Sequence, residues 1–247
     1  MPEWPAALSF ESVTKSYVRS HLGRKTISRG VAGLSFELRQ GEVFGLLGLN
    51  GQGKTTTLKL ALGLLTPSSG KVRLFGLDPL DPRALAQVGI MTELPYFYPY
   101  LTPREALRFY GSLSKIPSSE LPRRIDESLA EAGLLASADR KAREFSKGML
   151  QRLGLAQAML HRPKLYLLDE PASGLDPLAL HDIREILSKL NAQGATILLS
   201  SHSISEVERL CGRAAILVEG RLARLLEASE WAEEGLEKIF IRTVRPL

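Results

Sequence analysis

The chain has 247 residues, of which 44% are hydrophobic and 24% charged, and its net charge is +5. That length holds one large α/β domain or two small ones, and the composition excludes disordered and fibrous classes. No apolar run nears the ~18 residues of a membrane-spanning helix, and a single cysteine, Cys211, excludes an internal disulfide framework.

The opening Met1-Pro2-Glu3-Trp4-Pro5 lacks a basic region followed by an apolar one, so no signal peptide is expected. Strands are predicted at Leu8–Val13 and Leu34–Leu38. Between them Arg19, His21, Arg24, Lys25 and Arg29 form the densest basic patch, read as a solvated hairpin loop. An anionic lipid surface is a weaker reading. Nucleic acid is the weakest, because no aromatics interleave with these charges.

Val43–Leu47 reads as a buried strand, and a helix with an apolar face is expected from Thr56 to Leu65. Between them stands Gly48-Leu49-Asn50-Gly51-Gln52-Gly53-Lys54-Thr55, the Gly-x-x-x-x-Gly-Lys-[Ser/Thr] phosphate loop. Its glycines let successive N–H groups curl around phosphate oxygens, and Lys54 adds a mobile cation. Thr55 offers a hydroxyl to Mg²⁺, and the next helix aims its positive dipole end at the phosphates. The pattern implies a nucleoside triphosphate.

Strands are expected at Lys71–Phe75 and Val88–Met91, and Asp81-Pro82 marks a helix start. Glu93 then leads into Leu94-Pro95-Tyr96-Phe97-Tyr98-Pro99-Tyr100, an aromatic loop of which one or two rings should pack inward. Thr102-Pro103-Arg104-Glu105 has capping-box spacing, and from Pro103 to about Leu160 the patterns are helical. Within that stretch Phe145-Ser146-Lys147-Gly148-Met149-Leu150-Gln151-Arg152 opens a helix that Ser146 can cap. Its free first-turn N–H groups make a second anion site, which a second copy turned head to tail would fill.

Leu165–Leu168 is a buried strand ending in Asp169 and Glu170. Asp169 suits Mg²⁺, and Glu170 suits the polarising of an attacking water. Asp176-Pro177 starts another helix, and Ser203-Ile204-Ser205-Glu206 has capping-box spacing. His202 closes the strand Thr196–Ser200, where an imidazole can meet a γ-phosphate. A last strand is expected at Ala214–Val218.

Residues 7–225 resemble the nucleotide-binding subunit of an ATP-binding cassette (ABC) transporter, with the motifs in that family's order. The resemblance makes Gly48–Thr56 the Walker A motif, Phe145–Met149 the signature, Leu165–Glu170 the Walker B and Ser173–Asp176 the D-loop. Tyr17 falls where the family stacks adenine, Glu93 at the Q-loop glutamine, and His202 at the switch histidine. It implies an α/β fold: a P-loop NTPase core with a mixed or parallel sheet, an N-terminal antiparallel β subdomain and an inserted helical subdomain. One cassette would span 1–247, with core segments 1–93 and 161–247 and helical insert 94–160.

The implied ligands are ATP and Mg²⁺, with Thr55, Asp169 and Glu93 on the metal side, Glu170 and His202 catalytic, and Ser146, Gly148 and Asp176 at the shared face. Implied partners are a second cassette copy and a transmembrane permease docking near Glu93–Tyr100, at the cytoplasmic side of the membrane, and no nucleic acid. The signature departs from Leu-Ser-Gly-Gly-Gln: Met149 has no amide to hydrogen-bond, and Glu93 replaces glutamine. Both changes resemble exporter-associated cassettes with a separate permease. The runner-up is a soluble ABC ATPase acting on nucleic acid or ribosomes; such proteins usually carry two cassettes or a long coiled coil, and no heptad run is present.

Overall fold

A computed structural model describes residues 6–21 and 24–245, without the side chains of 18–21, 24–27 and 29. In chain order the elements are β1 (Ala6–His21), β2 (Arg24–Arg39), β3 (Val43–Leu47), α1 (Lys54–Ala61), β4 (Ser69–Leu74), α2 (Pro82–Leu85) and β5 (Val88–Met91). There follow α3 (Pro103–Leu113), α4 (Leu121–Glu131), α5 (Lys147–Met159), β6 (Leu165–Asp169), α6 (Pro177–Ala192) and β7 (Thr196–Ser201). The chain closes with α7 (Ile204–Leu210), β8 (Arg213–Val218), β9 (Arg221–Glu227), α8 (Ala228–Glu234) and α9 (Leu236–Val244). Two compact units divide it, one of residues 1–85 and 196–247, the other of 86–195.

In the first unit β1 lies between β2 and β4, antiparallel to both. Burial alternates along β2: Leu34, Phe36 and Leu38 are buried, Ser35, Glu37 and Arg39 exposed, the period-2 pattern of a sheet with one covered face. The β1–β2 ladder runs on through Ser16↔Arg29 to His21↔Arg24, where the sequence suggested a loop. Cross-strand pairing extends both strands through the basic stretch; the side chains of Arg19, His21, Arg24, Lys25 and Arg29 lie outside the described residues.

The same unit holds β7, β3, β8 and β9 side by side, with β3 parallel to β7 and β8 and β9 antiparallel to β8. Strand β7 is buried at every position, as a strand covered on both faces must be. Gly45 lets α7 approach: a Cβ there would stand 2.5 Å from Val207 Cγ1. The expected capping box at Ser203 does not form. Ser201 Oγ accepts the Ser203 N–H at 2.9 Å, the bond that Glu206 was expected to supply, and Glu206 is buried. Cys211 is buried beside α7, and burial, with Glu206 and Glu42 adding to it, pushes its thiol well up, so it stays protonated and unreactive.

Arg213 anchors this sheet. Its guanidinium lies 2.9 Å from Glu42 Oε1 and 3.0 Å from Glu227 Oε1, over the Phe44 ring at 5.4 Å. With the Arg213 side chain 8% exposed and that of Glu42 13%, truncation would strand a nearly buried carboxylate. Arg213→Ala is expected to lower stability by about 3 kcal/mol, read as a lower urea midpoint at unchanged slope. A loss below about 1 kcal/mol would show that water reaches the pair and that it behaves as a surface bridge.

In the second unit β5 and β6 pair in parallel, from Val88↔Leu165 to Met91↔Leu168. Between them the described residues form helices and turns only. Thr102 and Glu105 make the expected capping box: the Thr102 hydroxyl accepts the Glu105 N–H at 3.2 Å, and the Thr102 N–H donates to the Glu105 carboxylate at 2.7 Å. The core between α3 and α4 is Ala106, Leu107, Leu121, Ile125 and Leu129, all buried. Gly111 brings the helices together, since a Cβ there would fall 2.3 Å from Leu121 Cδ1. No helix among the described residues is long and apolar enough to cross a membrane.

Candidate functional site

The phosphate loop joins β3 to α1 in the first unit. Gly51 and Gly53 take φ of +81° and +96°, a region open to glycine at little strain. At Gly53 space also demands it: a Cβ would meet the Gly30 carbonyl at 2.5 Å. Lys54 is buried, its ammonium donating to the Gly48 carbonyl at 2.7 Å and more weakly to Leu49 at 3.4 Å. Gln52 accepts the Glu219 N–H through its side-chain oxygen and so ties the loop to the β8–β9 turn. Leu49, Asn50 and Thr55 are exposed, and no acidic residue stands in the first turn of α1 to compete with an anion.

Tyr17 is brought to this loop. Its hydroxyl lies 3.3 Å from Thr56 Oγ1, and Lys15 holds its ammonium 5.7 Å from the ring centroid. Gly30, which sequence reasoning did not single out, makes this possible: a Cβ there would stand 2.8 Å from Tyr17 Cε2 and 2.9 Å from Thr56 Cγ2. His202 is placed by register. Leu47 pairs with Ser201, so Gly48 and His202 leave neighbouring parallel strands together at one carboxyl edge, where ligands of open α/β sheets bind.

In the second unit, Met91 pairs with Leu168, so Glu93 and the Asp169–Glu170 pair likewise emerge at one carboxyl edge. Glu93 is exposed, Asp169 half-buried and Glu170 buried. Glu170 takes φ +48°, the left-handed region that is uncommon away from glycine and clusters at functional positions. A residue missed in the sequence holds the Glu93 loop. Gln151, buried on α5, donates its amide N–H to the Glu93 carbonyl at 2.8 Å. The two are 58 residues apart, and a glutamine within a helix carries no signal for such a bond.

Ser146 caps α5 as expected, its hydroxyl accepting the Met149 N–H at 3.3 Å. Gly148 seats the first turn of α5 on that of α6: a Cβ would lie 2.7 Å from Ala179 Cβ. Asp176 caps α6, accepting from the N–H groups of Leu178 and Ala179 at 3.0 and 2.9 Å. Two helix starts therefore abut here, that of α6 with its Leu178 and Ala179 N–H groups already bonded to Asp176 and with Pro177 carrying no N–H.

Of the aromatic loop, Phe97 is buried against Tyr110. Tyr96, Tyr98 and Tyr100 are exposed and in ring contact in sequence, and Phe109 of α3 adds an exposed ring at 6.3 Å from Tyr98. With Leu94 and Leu113 also exposed, this is an apolar patch of the kind that marks a docking surface.

Among the described residues no cluster of three or more His, Cys, Asp or Glu could cage a metal. The candidate donors are oxygens, the Thr55 hydroxyl and the carboxylates Asp169 and Glu93. That set fits Mg²⁺, which keeps waters and leans on substrate phosphates. A groove of about 330 Å³ lined by Leu60, Val72 and Leu80 holds none of these residues, as expected when phosphates are taken by an open loop.

A family model described as ABC transporter matches residues 31–173. An uncharacterized ABC transporter ATP-binding protein of Nostoc is 50% identical over 204 residues, covering 81% of this chain; the chain spans 60% of that relative's length. The Nod factor export ATP-binding protein I of Paraburkholderia xenovorans is 43% identical, over 90% of this chain and 70% of its own. Among solved structures, a dimeric ATP-binding cassette in a post-hydrolysis state bound to ADP and Pi matches with a TM-score of 0.79 at 25% identity, covering 90% of this chain and 98% of that one.

Proposed function

Since the chain belongs to the ABC transporter family, we propose that it binds ATP through residues 48–56, pairs head to tail with a second cassette, and hydrolyses ATP to drive a separate membrane permease. The observation that carries this is the shared carboxyl edge of β3 and β7, from which the phosphate loop and His202 emerge in register. The N–H groups of Gly48–Gly53 and the Lys54 ammonium take the phosphates, and the Tyr17 ring takes the adenine face. Thr55, Asp169 and Glu93 would supply oxygen ligands to Mg²⁺, and the ion would neutralise charge on the transferring phosphoryl group. Glu170 accepts a proton from the attacking water, and His202 orients the γ-phosphate.

Ser146 and Gly148, with the Asp176 loop beside them, meet the nucleotide of the other copy. ATP thereby favours the closed pair, because those contacts exist only there, and loss of the γ-phosphate releases them. The tyrosine patch receives the permease and keeps the chain at the cytoplasmic face of the membrane. Export is the direction that the name of the Nod factor export relative supports.

The test is phosphate release from Mg·ATP by the purified chain at a series of chain concentrations. Activity per chain is expected to climb with concentration, since half of each site comes from a partner. Constant activity per chain would refute the pairing. Stimulation by nucleic acid or ribosomes, with none by membranes holding the permease, would favour the runner-up.

A further inference from the structure

Strand β4 pairs with β1 on one side only, and its other side is an edge of the three-stranded sheet. The last residue of β4 shows which backbone groups point off that edge. Leu74 donates its N–H to the Leu77 carbonyl at 2.9 Å and accepts the Leu77 N–H at 2.8 Å, so both its groups face away from β1. In an antiparallel ladder this direction alternates residue by residue. Val72 therefore also turns its N–H and C=O outward, where no turn or strand among the described residues takes them. Yet Val72 is only 7% exposed, and backbone groups so nearly buried rarely go unpaired.

The edge opens on a groove of about 330 Å³. Its walls are apolar: Leu60 of α1, Leu65 of the loop after it, and Leu80. Gly63, at φ +67°, draws the far wall in, since a Cβ there would stand 2.9 Å from Leu80 Cδ2. Lys71 and Arg73 flank Val72, both exposed, and neither forms an ion pair among the described residues. On the β1 side they stand opposite Glu11 and Ser9; on the open side nothing faces them. Asp78 also lines the groove, its carboxylate accepting the Leu80 N–H at 2.8 Å.

We propose that this edge docks an extended acidic segment of a partner protein, added to the sheet as a further strand. A residue paired with Val72 shares its covered face and is apolar. The residues on either side of it fall opposite Lys71 and Arg73 and are acidic. Basic side chains on an edge also deter self-pairing: two copies joined antiparallel about Val72 would set Lys71 against Arg73. That accounts for the charges, but a merely protected edge has no need of an apolar groove alongside. The surface shares no residue with the phosphate loop and stands without the nucleotide reading.

The experiment follows, by fluorescence anisotropy, a labelled and end-blocked heptapeptide of alternating glutamate and valine titrated with the full chain. Saturable binding is expected, with a lysine–valine peptide of the same length weaker by about tenfold or more. N-methylation of the peptide amides that face β4 should abolish binding, because it removes the main-chain hydrogen bonds. Lys71→Glu with Arg73→Glu in one chain should exchange the peptide preference and leave phosphate release from Mg·ATP unchanged. Val72→Pro strips the outward N–H and spares the β1 ladder, so it should lose the peptide too; should it unfold, the N-methylated peptide makes the same test. Equal affinity for the two charge types, or N-methylated peptide bound within about twofold of its parent, overturns strand addition. No binding of the glutamate–valine peptide at about 1 mM overturns it as well. Self-association of the chain that the double reversal abolishes would give the edge to a second copy instead.

Discussion

Lys54→Ala is expected to weaken ATP binding by about a hundredfold or more while the fold persists. Each charge-assisted hydrogen bond from a buried ammonium to phosphate is worth about 1.5–3 kcal/mol, so losing two gives that factor. The ammonium already lies inside the loop, on the Gly48 and Leu49 carbonyls, so it needs only a short swing to reach an anion. Calorimetric titration of the dilute chain with Mg·ATP is the measurement, with a thermal melt to confirm folding. Affinity within about fivefold of the parent would remove the phosphate-loop assignment. Lys54→Met keeps the apolar stem and guards against a merely structural loss.

Glu170→Gln is expected to slow phosphate release by about a hundredfold to ten-thousandfold, the range lost with a general base, while ATP binding stays intact. An amide of the same shape accepts no proton, so the two effects separate cleanly. Turnover within tenfold of the parent would exclude Glu170 as the base. The backbone offers an independent check. A non-glycine residue at φ +48° carries strain of about 1–3 kcal/mol, so Glu170→Gly should lose hydrolysis yet melt no lower than Glu170→Gln. A lower melt would mean that the side chain's burial outweighs the strain.

Much of this was legible because local chemistry and tertiary packing agree. Val43–Leu47 and Val88–Met91 are strands at the expected bounds, since each is a short apolar run closed by turn residues. The caps at Thr102, Ser146 and Asp176 follow from side chains that can reach only their own helix starts. Strand β9 was missed: Arg221–Glu227 is a charged edge strand with mostly exposed residues, and its Leu-Leu spacing gives no firm period. The length of β1 and β2 was underestimated because pairing, not residue preference, holds basic residues extended. Ser203 showed the capping pattern, yet Ser201, two residues before it, took the donor first. Gly30 and Gln151 matter through neighbours dozens of residues away, and a single sequence carries no trace of that proximity.

The tether between Gln151 and the Glu93 carbonyl has a companion. Pro95 is seated directly on Gly154, where a Cβ would lie 2.8 Å from its ring. One polar clasp and one steric notch, a single helical turn apart, thus fasten the root of the tyrosine segment to the middle of α5. Whatever grips Tyr96, Tyr98 and Tyr100 from outside is coupled to a stiff rod whose far tip is Ser146. Because α5 is one unbroken helix from Lys147 to Met159, a displacement of that handle is expected to tilt the helix as a body and to move Ser146 with it.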